Sequence, residues 1–369
     1  MKTLAIIGST GSIGASSLKV YKKNKEKFNL LFLAANSNFT KLKKQKKIYK
    51  PKYSILFKSN LSLEKKYNFS KKETLYNLKK KIDFVISGVS GFDSLDINIK
   101  LLKISKNLLI ANKETIICGG RFFMNIAKRY NCNLIPIDSE HHCIDFFLKQ
   151  SKFKNELSKV FLIASGGPFF KKKIKYDQDI KTVIRHPIWK MGKKISVDSS
   201  TFANKVLELF EAKTLFNLNS KQLDIKVDTT SNTHALIKLK NKIYFSIMHF
   251  PNMVVSISNA LKLKNNFDIN FNNFNLNLVS PSKKKFPLIA LGLKILRMKG
   301  DRGPVIFTVL NERLVNMFLL NKIKYGDICI SLLKIFDRKN IIRESKKQIL
   351  NLKDVRKTIN FAEKIDLCS

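Results

Sequence analysis

Short apolar runs alternate with helix-like segments through the first third of the chain. Leu4-Ala5-Ile6-Ile7 has the length and character of a buried parallel strand. The run enters Gly8-Ser9-Thr10-Gly11-Ser12-Ile13-Gly14, a glycine every third position. Ala15–Tyr21 follows, with Leu18 and Tyr21 where a helix would place its apolar side. Further strands are predicted within 28–38, 51–57, 81–91, 106–114 and 132–140, and the 81–91 run ends in a second glycine turn at Gly88 and Gly91. Repeated strand–helix units imply a doubly wound parallel sheet. Near residue 150 the texture changes. "KVFLIASGGPF" (159–169) reads as a strand entering a glycine loop, "STFANKVLELFEAKTLF" (200–216) as an amphipathic helix, and "IYFSIMHF" (243–250) as a strand. Residues 262–285 are rich in Asn, Lys and Ser and read as a linker. From Phe286 onward the pattern is helical, and no internal repeat is visible.

A strand, a glycine turn and a helix in that order suit a dinucleotide pyrophosphate, because glycines let backbone N–H groups approach phosphates at a helix N-terminus. An ordinary tight turn would show the same residues. The second strand ends at Ala35-Asn36-Ser37-Asn38. It offers no carboxylate to grip ribose hydroxyls or repel a 2′-phosphate, which favours NADPH over NADH. A plain turn would also use these residues. The expected fold is α/β, with an N-terminal Rossmann-like doubly wound sheet over 1–140, a central α/β domain over 141–261 and a C-terminal α-helical domain over 286–369.

Charge changes this picture little. The net charge is +43, from 70 Lys+Arg against 27 Asp+Glu. A nucleic-acid binder is one reading. The lysines, however, spread from end to end, arginine is scarce, and 28 phenylalanines with many asparagines drift the same way, so the charge reads as compositional background. Cys118, Cys132, Cys143, Cys329 and Cys368 are scattered and odd in number, which suits a reducing cytoplasm. No apolar run is long enough to span a membrane, and the N-terminus enters a strand directly, so no signal peptide is expected.

Two stretches carry candidate chemistry. In "IPIDSEHH", Asp138 and Glu140 are two apart at an expected strand end, where they would share a face and could share a hard cation. A solvated acidic strand end is the plainer alternative. His141 and His142 read as packing or supporting histidines. In "ISVDSSTFANKVLELFEA", Asp198 or Ser199 is expected to cap a helix whose first turn, with Ser199, Ser200 and Thr201, would seat a phosphate. Asn204, Lys205 and Glu208 fall on one helix face. Ser165-Gly166-Gly167 is another anion-binding turn. "RHPIWKMGKK" (185–194) is a basic loop holding His186 and Trp189, the single tryptophan, which can serve as an anchor or a lid.

"GSTGSIG", "ANKE", "DSEH", "ASGGPF", "HPIWKMGKKISVDSSTFANKVLE" and "FxxLNE" occur in this order. Over essentially its whole length the chain resembles the 1-deoxy-D-xylulose 5-phosphate reductoisomerases of the methylerythritol phosphate route to isoprenoids. The resemblance implies an NADPH-binding domain, a central catalytic domain, a C-terminal helical domain and a homodimer. It implies rearrangement and reduction of 1-deoxy-D-xylulose 5-phosphate to 2-C-methyl-D-erythritol 4-phosphate. Thr10, Gly11, Ser12 and Ile13 would hold NADPH, with Asn36, Ser37 and Asn38 near its 2′-phosphate and Asn112, Glu114 and Gly192 also touching it. Asp138, Glu140 and Glu208 would bind Mg²⁺ or Mn²⁺. Ser165, Ser199, Asn204 and Lys205 would hold the substrate phosphate. Lys113, Ser139, Glu140 and Glu208 would surround its hydroxyl and carbonyl oxygens, and His186 would close over it. The family's His-Pro-Gln-Ser stands here as Asp228-Thr229-Thr230-Ser231, and its Gly-x-Pro-Asp-Met-Arg-x-Pro as His249–Ser256. The alternatives are a related Rossmann-fold NADP oxidoreductase acting on another phosphorylated substrate, or a basic nucleic-acid-binding protein. No specific nucleic acid and no membrane partner are expected.

Overall fold

The computed structural model describes residues 1–59, 61–150, 153–270 and 276–367. Cys368 and part of the 262–285 segment lie outside the described residues. In chain order the elements are β1 (Lys2–Ile7), α1 (Ser12–Lys23), β2 (Phe28–Ala35), α2 (Phe39–Tyr49), β3 (Tyr53–Leu56), α3 (Leu61–Tyr67), α4 (Glu73–Tyr76), β4 (Ile82–Ser87), α5 (Leu95–Ile104), β5 (Ser105–Ile110), α6 (Lys113–Arg129), β6 (Asn133–Pro136) and α7 (Ser139–Gln150). Then come β7 (Leu157–Ala164), α8 (Ile180–Val183), α9 (Lys193–Thr201), α10 (Ala203–Phe216), β8 (Leu223–Val227), β9 (Thr233–Leu239), β10 (Tyr244–Met248) and α11 (Met253–Ala260). The chain ends in α12 (Pro287–Arg297), α13 (Arg302–Leu319), α14 (Tyr325–Asp337), α15 (Lys339–Ser345) and α16 (Leu352–Glu363).

Two compact units result. The first comprises Met1–Asn112, Phe123–His142 and Asn252–Asn266. Its six strands run in the order β3-β2-β1-β4-β5-β6, all parallel. That is the doubly wound dinucleotide-binding order, with its switch point between β1 and β4. Leu4, Ala5, Ile6 and Ile7 are fully buried, as a strand covered on both faces requires. Gly14 is dictated by space: a Cβ there would lie 2.4 Å from the Gly8 carbonyl oxygen. Asn38 caps α2 by accepting the Lys41 amide at 3.1 Å. Helix α11 belongs to this unit and packs on α1, with Ile257 and Leu261 in the sheet's core.

The second unit comprises Lys113–Phe122, Cys143–Pro251 and Phe267–Ser369. Its sheet runs β10-β9-β7-β8, with β7 and β8 parallel and β9 antiparallel to both β7 and β10. Strands β8 and β9 had no counterpart in the sequence reading. Helices α12 to α16 form the expected helical C-terminal part. Phe210 of α10 meets Phe307 of α13 edge-on at 5.7 Å.

Candidate active site

The first unit places its predicted residues at the C-terminal ends of its strands. Thr10 and Gly11 form the turn after β1, and Ser12 and Ile13 open α1, whose N-cap Gly11 supplies no side-chain cap. Asn36, Ser37 and Asn38 follow β2. Lys41, which the sequence reading passed over, donates from Nζ to the Thr10 carbonyl at 2.6 Å. Asn112 holds the turn after β4 through Val89 O at 2.8 Å and Gly91 O at 3.1 Å.

Asp138 and Glu140 differ from expectation. Strand β6 stops at Pro136, so Asp138 precedes α7 and Glu140 sits in that helix's first turn. Their convergence arises from a strand-to-helix turn rather than from strand alternation. Asp138 Oδ1 lies 3.3 Å from His141 Nδ1, and Ser139 Oγ donates to Glu140 Oε2 at 2.5 Å. His141 is fully buried and His142 bonds Pro136 O through Nδ1 at 3.2 Å, so both support the turn.

In the second unit Glu208 is the centre of a buried constellation. Its Oε1 accepts Lys113 Nζ at 3.1 Å and Asn204 Nδ2 at 2.5 Å, and its Oε2 pairs with Lys205 Nζ at 2.6 Å. Lys113 Nζ also donates to Asn204 Oδ1 at 2.8 Å. Lys205 reaches the Ile163 carbonyl at 3.0 Å. The expected one-face spacing on the helix is therefore realised.

The capping expectation is corrected. Asp198 and Ser199 lie in the last turn of α9, not at a helix start. Phe202, at φ 64° in the left-handed region, breaks the chain between α9 and α10, so 200–216 is two helices. Nor is α10 amphipathic: Lys205–Ala212 are all buried, including Glu208 and Glu211. The glycine loop after β7 still meets Ser199. At Gly167 (φ +66°) an added Cβ would sit 2.8 Å from the Ser199 carbonyl oxygen.

His186 Nε2 is 2.9 Å from Ser165 Oγ, while its Nδ1 accepts the Trp189 and Ile188 amides at 2.9 and 3.2 Å. Two backbone donors on Nδ1 put the ring proton on Nε2. Burial, with the charge of Lys205 adding to it, depresses the His186 pKa to about 4. Trp189 is half-buried and meets His234 edge-on at 6.3 Å. His234 in turn stacks on His249 at 3.8 Å. Gly192 caps the start of α9 and is exposed.

Lys194 was also passed over. It pairs with Glu114 and, at 2.8 Å, with Asp198. Burial works against its charge, but Asp198, Glu114 and Glu312 together raise its pKa above the ordinary lysine value. Burial works against the Glu114 carboxylate too, and Lys194 more than offsets it, holding the pKa below normal. The departure at Asp228 is a self-contained turn. Its carboxylate accepts the Thr230 amide and hydroxyl at 2.9 and 2.7 Å and the Thr233 amide at 3.1 Å.

Residues 4–120 match the family model described as 1-deoxy-D-xylulose 5-phosphate reductoisomerase. Residues 134–216 match that of its C-terminal domain, and 248–363 the DXP reductoisomerase C-terminal domain. The 1-deoxy-D-xylulose 5-phosphate reductoisomerase of Pelagibacter ubique is 39% identical, with 91% of each chain covered. That of Chloroherpeton thalassium is 34% identical, with 89% of each covered. A crystal structure of DOX-P reductoisomerase in complex with NADPH, fosmidomycin and magnesium superposes with a TM-score of 0.88 at 26% identity, covering 98% of both chains. The chain belongs to the 1-deoxy-D-xylulose 5-phosphate reductoisomerase family.

Proposed function

We propose that this chain catalyses the NADPH- and divalent-metal-dependent rearrangement and reduction of 1-deoxy-D-xylulose 5-phosphate to 2-C-methyl-D-erythritol 4-phosphate. The buried Lys113, Lys205 and Glu208 with half-buried Asn204, and Ser165 and Ser199 on the neighbouring turns, carry the reading. Its related structure holds NADPH and magnesium. The residues here fit both groups. Gly14 lets the start of α1 pack directly on the backbone of Gly8 and Ser9 in the turn after β1, and Asp138, Glu140 and Glu208 are the hard oxygen donors that Mg²⁺ or Mn²⁺ takes. When bound, the metal supplies Lewis acidity to a ketone and its neighbouring hydroxyl, and NADPH supplies a hydride.

The chain's own residues do the rest. Thr10, Gly11, Ser12 and Ile13, with Asn36, Ser37, Asn38, Asn112, Glu114 and Gly192, orient the cofactor. Ser165, Ser199, Asn204 and Lys205 grip the phosphate and so fix the reacting end. His186 donates to Ser165 Oγ, which leaves that hydroxyl's own proton to point at a phosphate oxygen. Lys113, Ser139, Glu140 and Glu208 surround the carbonyl and hydroxyl oxygens, and the Lys113 ammonium balances negative charge that develops there. Trp189 and His186 cover the bound substrate and exclude water.

The partner is a second copy of the chain. Strand β10 is an outer strand of its sheet, and its first residue Tyr244 and the preceding Ile243 are about half exposed, which is an edge suited to pairing. Light scattering on the purified protein tests this. No described helix is long and apolar enough to cross a membrane. Cys118, Cys132, Cys143 and Cys329 form no disulfide, in keeping with a cytoplasmic site. The four-part division at 140, 261 and 285 assigns cofactor binding, catalysis, linkage and helical support in that order, with Lys113–Phe122 folding into the second unit and Asn252–Asn266 into the first. The deciding assay is NADPH oxidation with 1-deoxy-D-xylulose 5-phosphate, with and without Mg²⁺. Metal-dependent, substrate-dependent oxidation is expected, and its absence would sink the reading.

A further inference from the structure

Ser199 stands between two residues that the C-terminal helices hold. On one side, Asp198 accepts Asn311 Nδ2 of α13 at 2.7 Å and pairs with Lys194. On the other, Ser200 Oγ accepts from the Tyr325 hydroxyl of α14 at 3.0 Å and donates to Val197 O at 2.6 Å. Asp198, Ser200 and Asn311 are essentially buried. The Tyr325 ring is itself fixed, edge-on to Phe169 at 5.6 Å and Phe318 at 5.7 Å. The clamped turn is the one that local preference would not set. It ends at Phe202, whose left-handed backbone an ordinary side chain avoids. Asn311 belongs to the "LNE" stretch, which the proposed chemistry does not otherwise use.

We propose that Asn311 and Tyr325 are positioning residues that aim Ser199 at the substrate phosphate, so that the helical C-terminal part sets phosphate affinity from outside the site. The proposal rests on the reading of Ser165, Ser199, Asn204 and Lys205 as the phosphate seat. A turn held on both sides keeps its hydroxyl in one direction, and a charge-bearing oxygen rewards direction as well as distance.

Three variants test it, with inorganic phosphate as a competitive inhibitor. Tyr325→Phe removes one oxygen and keeps the ring. It should raise the substrate KM and the phosphate inhibition constant together, by about fivefold, the worth of one hydrogen bond. It should leave kcat within about twofold and NADPH affinity, read by titrating the cofactor's fluorescence, unchanged. Asn311→Leu should do the same or more. Ser199→Ala sets the reference. If Ser199→Ala leaves the phosphate constant unchanged, the seat itself is misassigned and the proposal falls with it. If Ser199→Ala weakens phosphate but Tyr325→Phe lowers only the melting temperature, the helices merely hold the fold and the clamp is refuted. Should Asn311→Leu fail to fold, Tyr325→Phe decides alone.

Discussion

His186 and Ser165 share a hydrogen bond of 2.9 Å whose polarity is fixed from the far side of the ring, because the Trp189 amide occupies Nδ1. The imidazole is therefore neutral in the folded protein near pH 7, with a pKa of about 4. The unfolded chain protonates its histidines near pH 6.5. Below that value the unfolded state gains a proton that folded His186 resists, so stability falls from about pH 6.5 down to about 4. His186→Gln removes this contribution. Urea midpoints measured from pH 7.5 to 4.5 should fall more steeply for the wild type than for the variant. Parallel curves would contradict the neutral ring.

Glu208→Gln is expected to lower activity by orders of magnitude. From sequence alone the fold would be little affected, but the structure changes that expectation. Glu208 is 1% exposed and faces both Lys113 and Lys205. Removing its charge takes a carboxylate away from two buried ammonium groups, at a cost of about 3 kcal/mol. Denaturant unfolding of the metal-free protein measures this. Activity near wild type, or stability unchanged, would contradict the assignment.

Cofactor choice is testable by binding. NADPH should bind more tightly than NADH, and Ser37→Asp should narrow or reverse the gap by repelling the 2′-phosphate. Gly14→Ala should weaken both cofactors, since its Cβ would meet Gly8 O at 2.4 Å and force the turn open. Fluorescence titrations of the reduced cofactors give both answers. A wild-type preference for NADH would overturn the reading of residues 36–38.

Trp189 fluorescence reports one position. The ring is half-buried, and its described ring partner is His234 rather than an apolar core. Saturable quenching or shift on adding substrate with Mg²⁺ is expected. Trp189→Ala should raise KM or lower kcat with little change in melting temperature. A loss of about 3–5 kcal/mol, typical of truncating a core aromatic, would make it an anchor instead.

The sequence by itself determined the first sheet and the meeting of Asn204, Lys205 and Glu208. Leu4–Ile7 followed by glycines at 8, 11 and 14 admits few conformations other than a buried strand turning tightly into a helix. Asn204, Lys205 and Glu208 meet because helical spacing alone brings them together. Strands β8 and β9 were not legible: "LDIKV" alternates apolar and polar residues but is very short, and "THALIKL" opens on Thr233 and His234, polar residues that only the folded chain buries. The break at Phe202 was equally hidden, because nothing local asks a phenylalanine to adopt a left-handed backbone. Only tertiary structure decided it, with Asn311 and Tyr325 reaching Asp198 and Ser200 across more than a hundred residues. It likewise returned α11 to the first sheet, where the apolar surface of α1 needed cover. Local period records which face of an element is apolar; it does not record which distant partner that face or its polar side chains will meet.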